Sequence, residues 1–397
     1  MTHSEVHSQP QAAVSVGVAR ESDPRELRVA VVPDSVPALA RLGVRVLVES
    51  GAGAGAWFPD SAYEQAGATI VRAGQASGAD VIAGIGAPAP EQIARLRAGQ
   101  AVIGLLRPLT RPELAGRLAA AGVTAISLDG LPRTVSRAQS MDALTSQASV
   151  AGYKAAVLAA DHFGRFFPML ITAAGTSRPA SVLVLGAGVA GLQAMGTARR
   201  LGAVVTGYDI RPETRDQIES VGARFLELGS VASGAGQGGY AWALSADEQA
   251  AQQAELTAEV ARFDVVITTA QVPGRRPPLL VSAEAVKGMR AGSVVVDLAA
   301  SSLGGNVAGS AADQTVLTEN GVRVIGAGNL AAQMPAAASV AYSHNIVALL
   351  AELIRDGALT IDPADEIQAG VVITHQGKVI HPQVAALLQP ATGGVPQ

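Results

Sequence analysis

Residues 181–209 read SVLVLGAGVAGLQAMGTARRLGAVVTGYD, and this stretch decides the fold of the chain around it. An apolar strand, Val182–Leu185, runs straight into Gly186-Ala187-Gly188-Val189-Ala190-Gly191; a helix follows, and the next strand ends at Asp209. With 44 glycines in 397 residues, a G-x-G-x-x-G pattern by itself carries little weight. Between a strand and a helix it has a mechanical meaning. Gly186 permits a tight turn, Gly188 lets the backbone approach a pyrophosphate, and Gly191 lets the helix pack closely on the strand with its N-terminus toward the phosphates. Asp209 is placed to accept the adenosine ribose hydroxyls and would repel a 2′-phosphate, so the expected cofactor is NAD(H) rather than NADP(H). Arg211 leaves the alternative open, because a guanidinium there could bind such a phosphate, stack on the adenine or face solvent.

Working outward, the same alternation of apolar strands and helical stretches continues on both sides. Downstream, Asp264–Ala270, Ser293–Leu298 and Arg323–Gly326 read as strands, with helices from about Gly191 to Leu201, Glu213 to Gly222 and Glu248 to Arg262. Upstream, Val14–Val18, Val44–Val48, Asp80–Ile85, Ala101–Leu106 and Thr124–Leu128 read as strands. Ser35–Leu42, Ala62–Gly67, Ala89–Arg97 and Arg111–Ala121 read as the helices between them. Alternation of this kind means parallel strands with helices on both faces. Residues from Ser140 to about Phe167 form a long helical stretch that bridges two domains, and Ala336–Asp356 is long enough to return to the first. The expected organisation is therefore a discontinuous α/β domain, residues 1–140 plus 337–397, and a continuous dinucleotide-binding domain, residues 141–336. Val231–Tyr240 and Ser302–Ala312, rich in Gly, Ser and Ala, read as loops. Gly51–Gly55, GAGAG, also follows a strand, but its spacing is wrong and Trp57-Phe58-Pro59 forbids an immediate helix, so it reads as a structural turn.

Ligands of such sheets lie at the carboxyl ends of the strands. The loops beginning at Thr268-Thr269-Ala270, Asp297-Leu298-Ala299 and Gly328-Asn329-Leu330 should then line the nicotinamide half of the site.

Composition closes off other classes. The 29 basic residues against 33 acidic ones leave no positive excess for a phosphate backbone, so nucleic acid is not an expected partner. Cysteine is absent, which removes disulfides, thiolate nucleophiles and thiolate metal sites together. Six histidines include no H-E-x-x-H pair, and no metal is expected. Mean hydropathy is +0.30, yet no run of about 18 apolar residues occurs. Met1–Gln11 has no basic segment followed by an apolar one, so the chain is expected in the cytoplasm.

Oxidation of an alcohol or amine requires a group that takes a proton as well as a route for the hydride. Candidates are few: of the three lysines Lys287 falls in a solvated helix–turn segment, Lys378 in a turn and Lys154 on the bridging helix, and His162, His344, His375 and His381 each read as a capped or packed histidine rather than a base. Hydride transfer between two nicotinamides needs only close approach and exclusion of water.

Beyond the glycine turn, several stretches are distinctive: VGVARE (Val16–Glu21), RVAVVP (Arg28–Pro33), SRAQSMDALTSQ (Ser136–Gln147), AGYKA (Ala151–Ala155), FGRFFPMLITAAGT (Phe163–Thr176), YDIRPE (Tyr208–Glu213), DVVITTAQVPG (Asp264–Gly274), SVVVDLAA (Ser293–Ala300) and GGN (Gly304–Asn306). From Val16 to about His381 the chain resembles the soluble NAD(H)-binding subunit of bacterial proton-translocating nicotinamide nucleotide transhydrogenase, a relative of alanine dehydrogenase. The resemblance implies two doubly wound, Rossmann-like domains separated by a cleft. It implies a homodimer that docks peripherally on the cytoplasmic membrane, with NADP(H) on a partner beta subunit and proton translocation in membrane-spanning subunits. It places Gln139, Asp142 and Thr145 at the nicotinamide with a preceding arginine. Because P-R-T-V-S-R-A-Q is one residue longer than the family pattern, that arginine is either Arg133 or Arg137. For the rest of NAD(H) the resemblance implicates Val189, Asp209, Ile210, Arg211, Gly239, Gln252 and Thr269.

Two other readings stay open. The alanine dehydrogenase branch uses a lysine, a histidine and, shortly after the strand that here ends at Asp297, an aspartate; the matching segments read VIAGIGAP (Val81–Pro88), IGLLRP (Ile103–Pro108) and, after Asp297, LAASSLGG (Leu298–Gly305), with none of the three in place. Arg28 is shared by both branches. The third reading is a catalytically silent NAD-binding protein. Gln271 in place of an apolar residue, an extra residue in Ser301-Ser302-Leu303, and Val307 in place of cysteine depart from the transhydrogenase pattern.

Overall fold

The computed structural model describes residues 14–229, 246–272 and 275–389. Gly239, the Val231–Tyr240 loop, His3 and His7 lie outside the described residues. The chain divides into two compact units, one made of residues 1–146 and 335–397, the other of residues 147–334.

The first unit begins with β1 (Ser15–Val18), α1 (Val36–Arg41), β2 (Arg45–Glu49), α2 (Asp60–Gln65), β3 (Thr69–Val71), β4 (Val81–Ala83), α3 (Pro90–Ile93), β5 (Ala101–Gly104), α4 (Pro112–Ala120) and β6 (Thr124–Ser127). Helix α5 (Ala143–His162) contains the division between the units. The second unit has a hairpin, β7 (Leu170–Thr172) and β8 (Gly175–Ser177), then β9 (Ser181–Leu185), α6 (Val189–Arg200), β10 (Val204–Tyr208), α7 (Thr214–Ser220) and β11 (Arg224–Phe225). It continues with α8 (Ala246–Val260), β12 (Val265–Thr268), α9 (Ala283–Gly288), β13 (Val294–Asp297), β14 (Gln314–Leu317) and β15 (Arg323–Gly326). The return to the first unit comprises α10 (Pro335–Leu353), β16 (Ile354–Arg355), β17 (Ala358–Leu359), α11 (Glu366–Val371), β18 (Val372–His375), β19 (Lys378–Val379) and α12 (Pro382–Leu388).

The two large sheets share the order of the first five strands of each series. The first runs β19-β18-β6-β5-β4-β1-β2-β3 and the second β11-β10-β9-β12-β13-β15-β14. Within each, the first strand of the unit's series sits between its second and fourth, so the winding reverses beside β1 in one and beside β9 in the other. All pairings in the two series are parallel except those of β14, β18 and β19. Strands buried on both faces read as continuous apolar runs, and Val182–Leu185, Val265–Ile267 and Val294–Val296 are buried throughout.

The long helix α10 is apolar and long enough to cross a membrane, but half of it is buried in the protein. Tyr342, Ile346, Leu349, Leu350 and Leu353 sit in the first unit's core. Its serines do a second task. Ser339 Oγ accepts the Val29 N–H at 2.9 Å and Ser343 Oγ accepts that of Val32 at 3.1 Å. The RVAVVP segment is buried without joining a sheet, and these hydroxyls supply partners that its amides would otherwise lack.

Expectation and structure differ in the shorter elements. The strands β3, β11, β14, β18 and β19 and the β7–β8 hairpin add to those read from the sequence; all four residues of β14 are exposed, so no apolar run marks it. Helix α3 covers only Pro90–Ile93 of the expected Ala89–Arg97. The GAGAG segment leads into a short 3₁₀ turn, Ala54–Ala56, ended by Trp57 at φ 63°.

At the first unit's point of reversal the loop after β1 places Glu21, whose Oε1 accepts the Ile85 N–H at 2.6 Å from the loop after β4. Burial raises its carboxyl from 4.5 to about 7, with the Ile85 amide opposing and Glu26 adding to the rise. A carboxyl raised in the folded state binds its proton more tightly folded than unfolded, so stability is greatest below the unfolded value and falls as pH climbs through about 7. Glu21→Gln keeps the acceptor and removes the titration. Thermal unfolding should show the variant matching the parent at pH 4 and exceeding it at pH 8 by about 3 kcal/mol; parallel pH profiles would remove Glu21 from the account.

Candidate dinucleotide site

The turn after β9 is built from backbone crowding. Gly186 has φ +105° and donates its N–H to the Tyr208 carbonyl at 2.8 Å. A Cβ at Gly186 would stand 2.6 Å from Thr269 Oγ1, and one at Gly191 would stand 1.8 Å from the Gly186 carbonyl oxygen. At Gly188 nothing lies within 4 Å of the same position. Two glycines are thus required by the fold, while the middle one leaves open space at the N-terminus of α6. Gly188 is the N-cap residue and offers no side chain to the first turn, so the free N–H groups there face that space, as binding of a pyrophosphate requires. Thr269 closes the turn from the neighbouring strand end, its Oγ1 donating to the Gly186 carbonyl at 3.1 Å. Val189 opens the helix.

Asp209 is tied into the turn. Its Oδ2 accepts the Ala187 N–H at 2.8 Å, which ties the end of β10 to the glycine turn. Arg211 folds back on it, with Nε to Oδ1 and Nη2 to Oδ2 both at 3.0 Å. This two-pronged pair raises the guanidinium pKa, burial opposing. The carboxylate is therefore partly neutralised while it keeps lone pairs for hydroxyl donors. Ile210 packs half-buried on the core that contains Leu183 and Leu256. Gln252 is buried and donates from Nε2 to Tyr208 Oη at 2.7 Å, bracing the residue beside Asp209.

Two polar residues of the strand-end loops take larger parts than their sequence positions announce. Asn306 pairs with Ala270, accepting its N–H at 3.0 Å and donating to its carbonyl at 2.9 Å, and also donates to the Pro278 carbonyl at 2.7 Å. The buried Asp297 accepts from Thr268 Oγ1 and the Ala299 N–H, each at 2.9 Å, from the Val307 N–H at 3.1 Å, and from Ser310 Oγ. A carboxylate closing an otherwise apolar strand is the available signal, since a buried charge must find donors. Gln271 donates to the Leu298 carbonyl at 2.8 Å, and the extra residue in Ser301–Gly304 is absorbed by a tight turn whose end residues bond each other at 2.8 and 3.1 Å. Among the described residues no group of three metal-ligating side chains gathers.

In the first unit, Ser136–Met141 forms a 3₁₀ segment leading into α5, anchored by buried Ala138 and Met141 and by Asn345 Nδ2 on the Ser140 carbonyl at 2.8 Å. Asp142 caps α5, accepting the Thr145 N–H at 2.8 Å and Thr145 Oγ1 at 2.6 Å. Arg133 joins the same network, Nε to Asp142 at 3.1 Å and Nη2 to Thr145 Oγ1 at 2.9 Å. Arg137 points to other partners, Glu352 at 2.8 Å and Asp365. Gln139 is exposed, and its side chain bonds to none of the described residues.

Comparison with known proteins divides the chain near residue 150 and carries the second match into the C-terminal segment of the first unit. Residues 17–151 match the family described as alanine dehydrogenase/PNT, N-terminal domain, and residues 155–382 match its C-terminal domain. The chain is 42% identical over 379 residues to the NAD(P) transhydrogenase subunit alpha of Haemophilus influenzae, spanning 94% of this chain and 73% of that one. It is 38% identical over 380 residues to the Rhodospirillum rubrum polypeptide named as the first portion of NAD(P) transhydrogenase subunit alpha, spanning 93% and 98%. The crystal structure of transhydrogenase from Sinorhizobium meliloti matches with a TM-score of 0.81 at 41% identity, over 93% of this chain and 99% of that one.

The glycines of the turn separate experimentally. Gly191→Ala should lower the melting temperature by several degrees, because its Cβ must displace backbone. Gly188→Ala should leave melting unchanged within about 1 °C and weaken dinucleotide binding at least about tenfold. Equal effects of the two on melting would refute the open cradle.

Proposed function

This chain belongs to the alanine dehydrogenase/PNT family, and from that premise we propose that it is the NAD(H)-binding alpha subunit of an NAD(P) transhydrogenase. The observation that carries the reading is the open cradle at Gly188, held between two glycines that cannot accept a side chain and closed by Asp209. In this reading the backbone of Gly186–Gly188 and the N-terminus of α6 hold the pyrophosphate, and Asp209 takes the adenosine ribose hydroxyls. Arg211 stays on Asp209 or turns to the adenine, and Val189, Ile210, Gln252, Thr269 and Gly239 complete the NAD(H) side.

Bound NADH supplies a hydride, and NADP⁺ held on a partner beta subunit accepts it. The residues of this chain bind, orient and exclude water; none needs to move a proton, since hydride passage between two nicotinamides consumes and releases none. The Arg133–Asp142–Thr145 network fixes the loop that carries Gln139, the residue that the family resemblance assigns to the nicotinamide. Arg137, engaged by two carboxylates, anchors that loop. Proton translocation is assigned to membrane-spanning partner subunits, on which a homodimer of this chain docks from the cytoplasmic side. Alanine dehydrogenase activity is disfavoured because VIAGIGAP lacks the lysine of that branch, IGLLRP lacks its histidine, and LAASSLGG, which follows Asp297, lacks its aspartate.

The deciding experiment mixes the chain with NADH and an NADP⁺ analogue, with and without the NADP(H)-binding polypeptide. Transfer is expected only in the mixture; NADH binding without transfer would leave a silent NAD-binding protein, and turnover of L-alanine would restore the other branch. Gln139→Asn should slow transfer about tenfold while NADH affinity stays within about twofold, because orientation and anchoring reside in different residues. An unchanged transfer rate would remove Gln139 from the site.

A further inference from the structure

At the end of β9 opposite the glycine turn, the second unit has a cleft of about 230 Å³ lined by Phe163, Arg165, Phe166, Arg178, Asp264 and Arg290 among others. Its centre is Asp264, 9% exposed. One carboxylate oxygen accepts Arg165 Nη2 at 2.6 Å and Arg290 Nη2 at 2.9 Å; the other accepts the Ser181 N–H at 3.0 Å and Ser181 Oγ at 2.8 Å. Burial would push the carboxyl up, but the Ser181 bonds and the two guanidiniums outweigh it and hold it below its usual range. The Arg165 guanidinium also lies 4.8 Å over the Phe163 ring, which meets Phe167 edge-on at 6.0 Å. The two arginines are therefore fixed, and each spends its Nη2 on the shared carboxylate while a guanidinium carries five N–H donors.

A single arginine would neutralise Asp264. The second, together with exposed Arg178, which has no acidic partner among the described residues, leaves two positive charges on one small concavity. Rigid guanidinium forks match the geometry of tetrahedral oxyanions. The volume suits a phosphate with a few further atoms and is below the range for larger ligands. Along a strand of five residues, the cleft stands roughly 15 Å from the glycine turn.

We propose that this cleft is a second, separate anion site that binds a phosphate dianion, free or carried by a small metabolite, through Arg165, Arg178 and Arg290. The test is calorimetric titration of inorganic phosphate into the full chain at low ionic strength, against chloride at matched ionic strength. One saturable site is expected. Arg178→Ala should weaken it at least about tenfold, and Arg178→Glu should abolish it, with melting temperatures in the absence of phosphate unchanged in both, since Arg178 is exposed. No saturable uptake beyond the chloride control, or full affinity in Arg178→Glu, would overturn the site. Co-sedimentation with phosphatidic acid vesicles without uptake of free phosphate would also overturn it and assign the contact to a lipid headgroup.

Discussion

A Cβ at Gly191 would meet the Gly186 carbonyl oxygen at 1.8 Å, and the second unit is arranged around that proximity. Because the first turn of α6 rests directly on the strand-end turn, its unbonded amides are carried to the sheet's carboxyl edge at the point where the winding reverses. Thr269 from β12 and Asp209 from β10 then close on the same turn, one from each neighbouring strand. The open space at Gly188 is the remainder of this packing rather than a separate feature. A side chain at either flanking position would lift the helix and dissolve the cradle.

The two units show how little of function strand order specifies. Both wind alike through their first five strands, and both reverse beside the first. In the first, the corresponding loop has no glycine turn and no helix N-terminus pressed on the strand; it carries Glu21, bonded to Ile85 and raised toward neutrality by burial. Chemistry at each reversal follows from three or four residues after one strand, as expected where function resides in sites borne by a common architecture.

Four aspartates organise the loops that matter. Asp142 starts α5 and gathers Arg133 and Thr145; Asp209 ties β10 to the glycine turn; Asp297 collects Thr268, Ala299, Val307 and Ser310; Asp264 holds two arginines at the other end of the sheet. In each case a carboxylate removed from water accepts backbone N–H groups, joined by hydroxyls at Asp142, Asp264 and Asp297 and by guanidiniums at Asp142, Asp209 and Asp264. The loops are positioned because the charge has no other place to be satisfied. Arg137 acts likewise on the far side of its loop, drawing Ser136–Met141 toward Glu352 and Asp365.

The alternation of strand and helix, the parallel sheets and the glycine turn with its following acid were legible in the chain alone, because each rests on neighbours within about thirty residues and on periodicity that local sterics enforce. Short edge strands such as β14 escaped because exposed residues leave no apolar period to read. The choice between Arg133 and Arg137 could not be made from spacing. Their partners within the protein are equally invisible there: Arg133 meets Asp142, and Arg137 meets Glu352 and Asp365, more than two hundred residues away. The same holds for the serines of α10 that complete the backbone bonding of RVAVVP and for the arginine cluster on Asp264. Hydrogen bonds and charge pairs between distant segments form only when packing has brought the segments together, so tertiary structure alone assigns them.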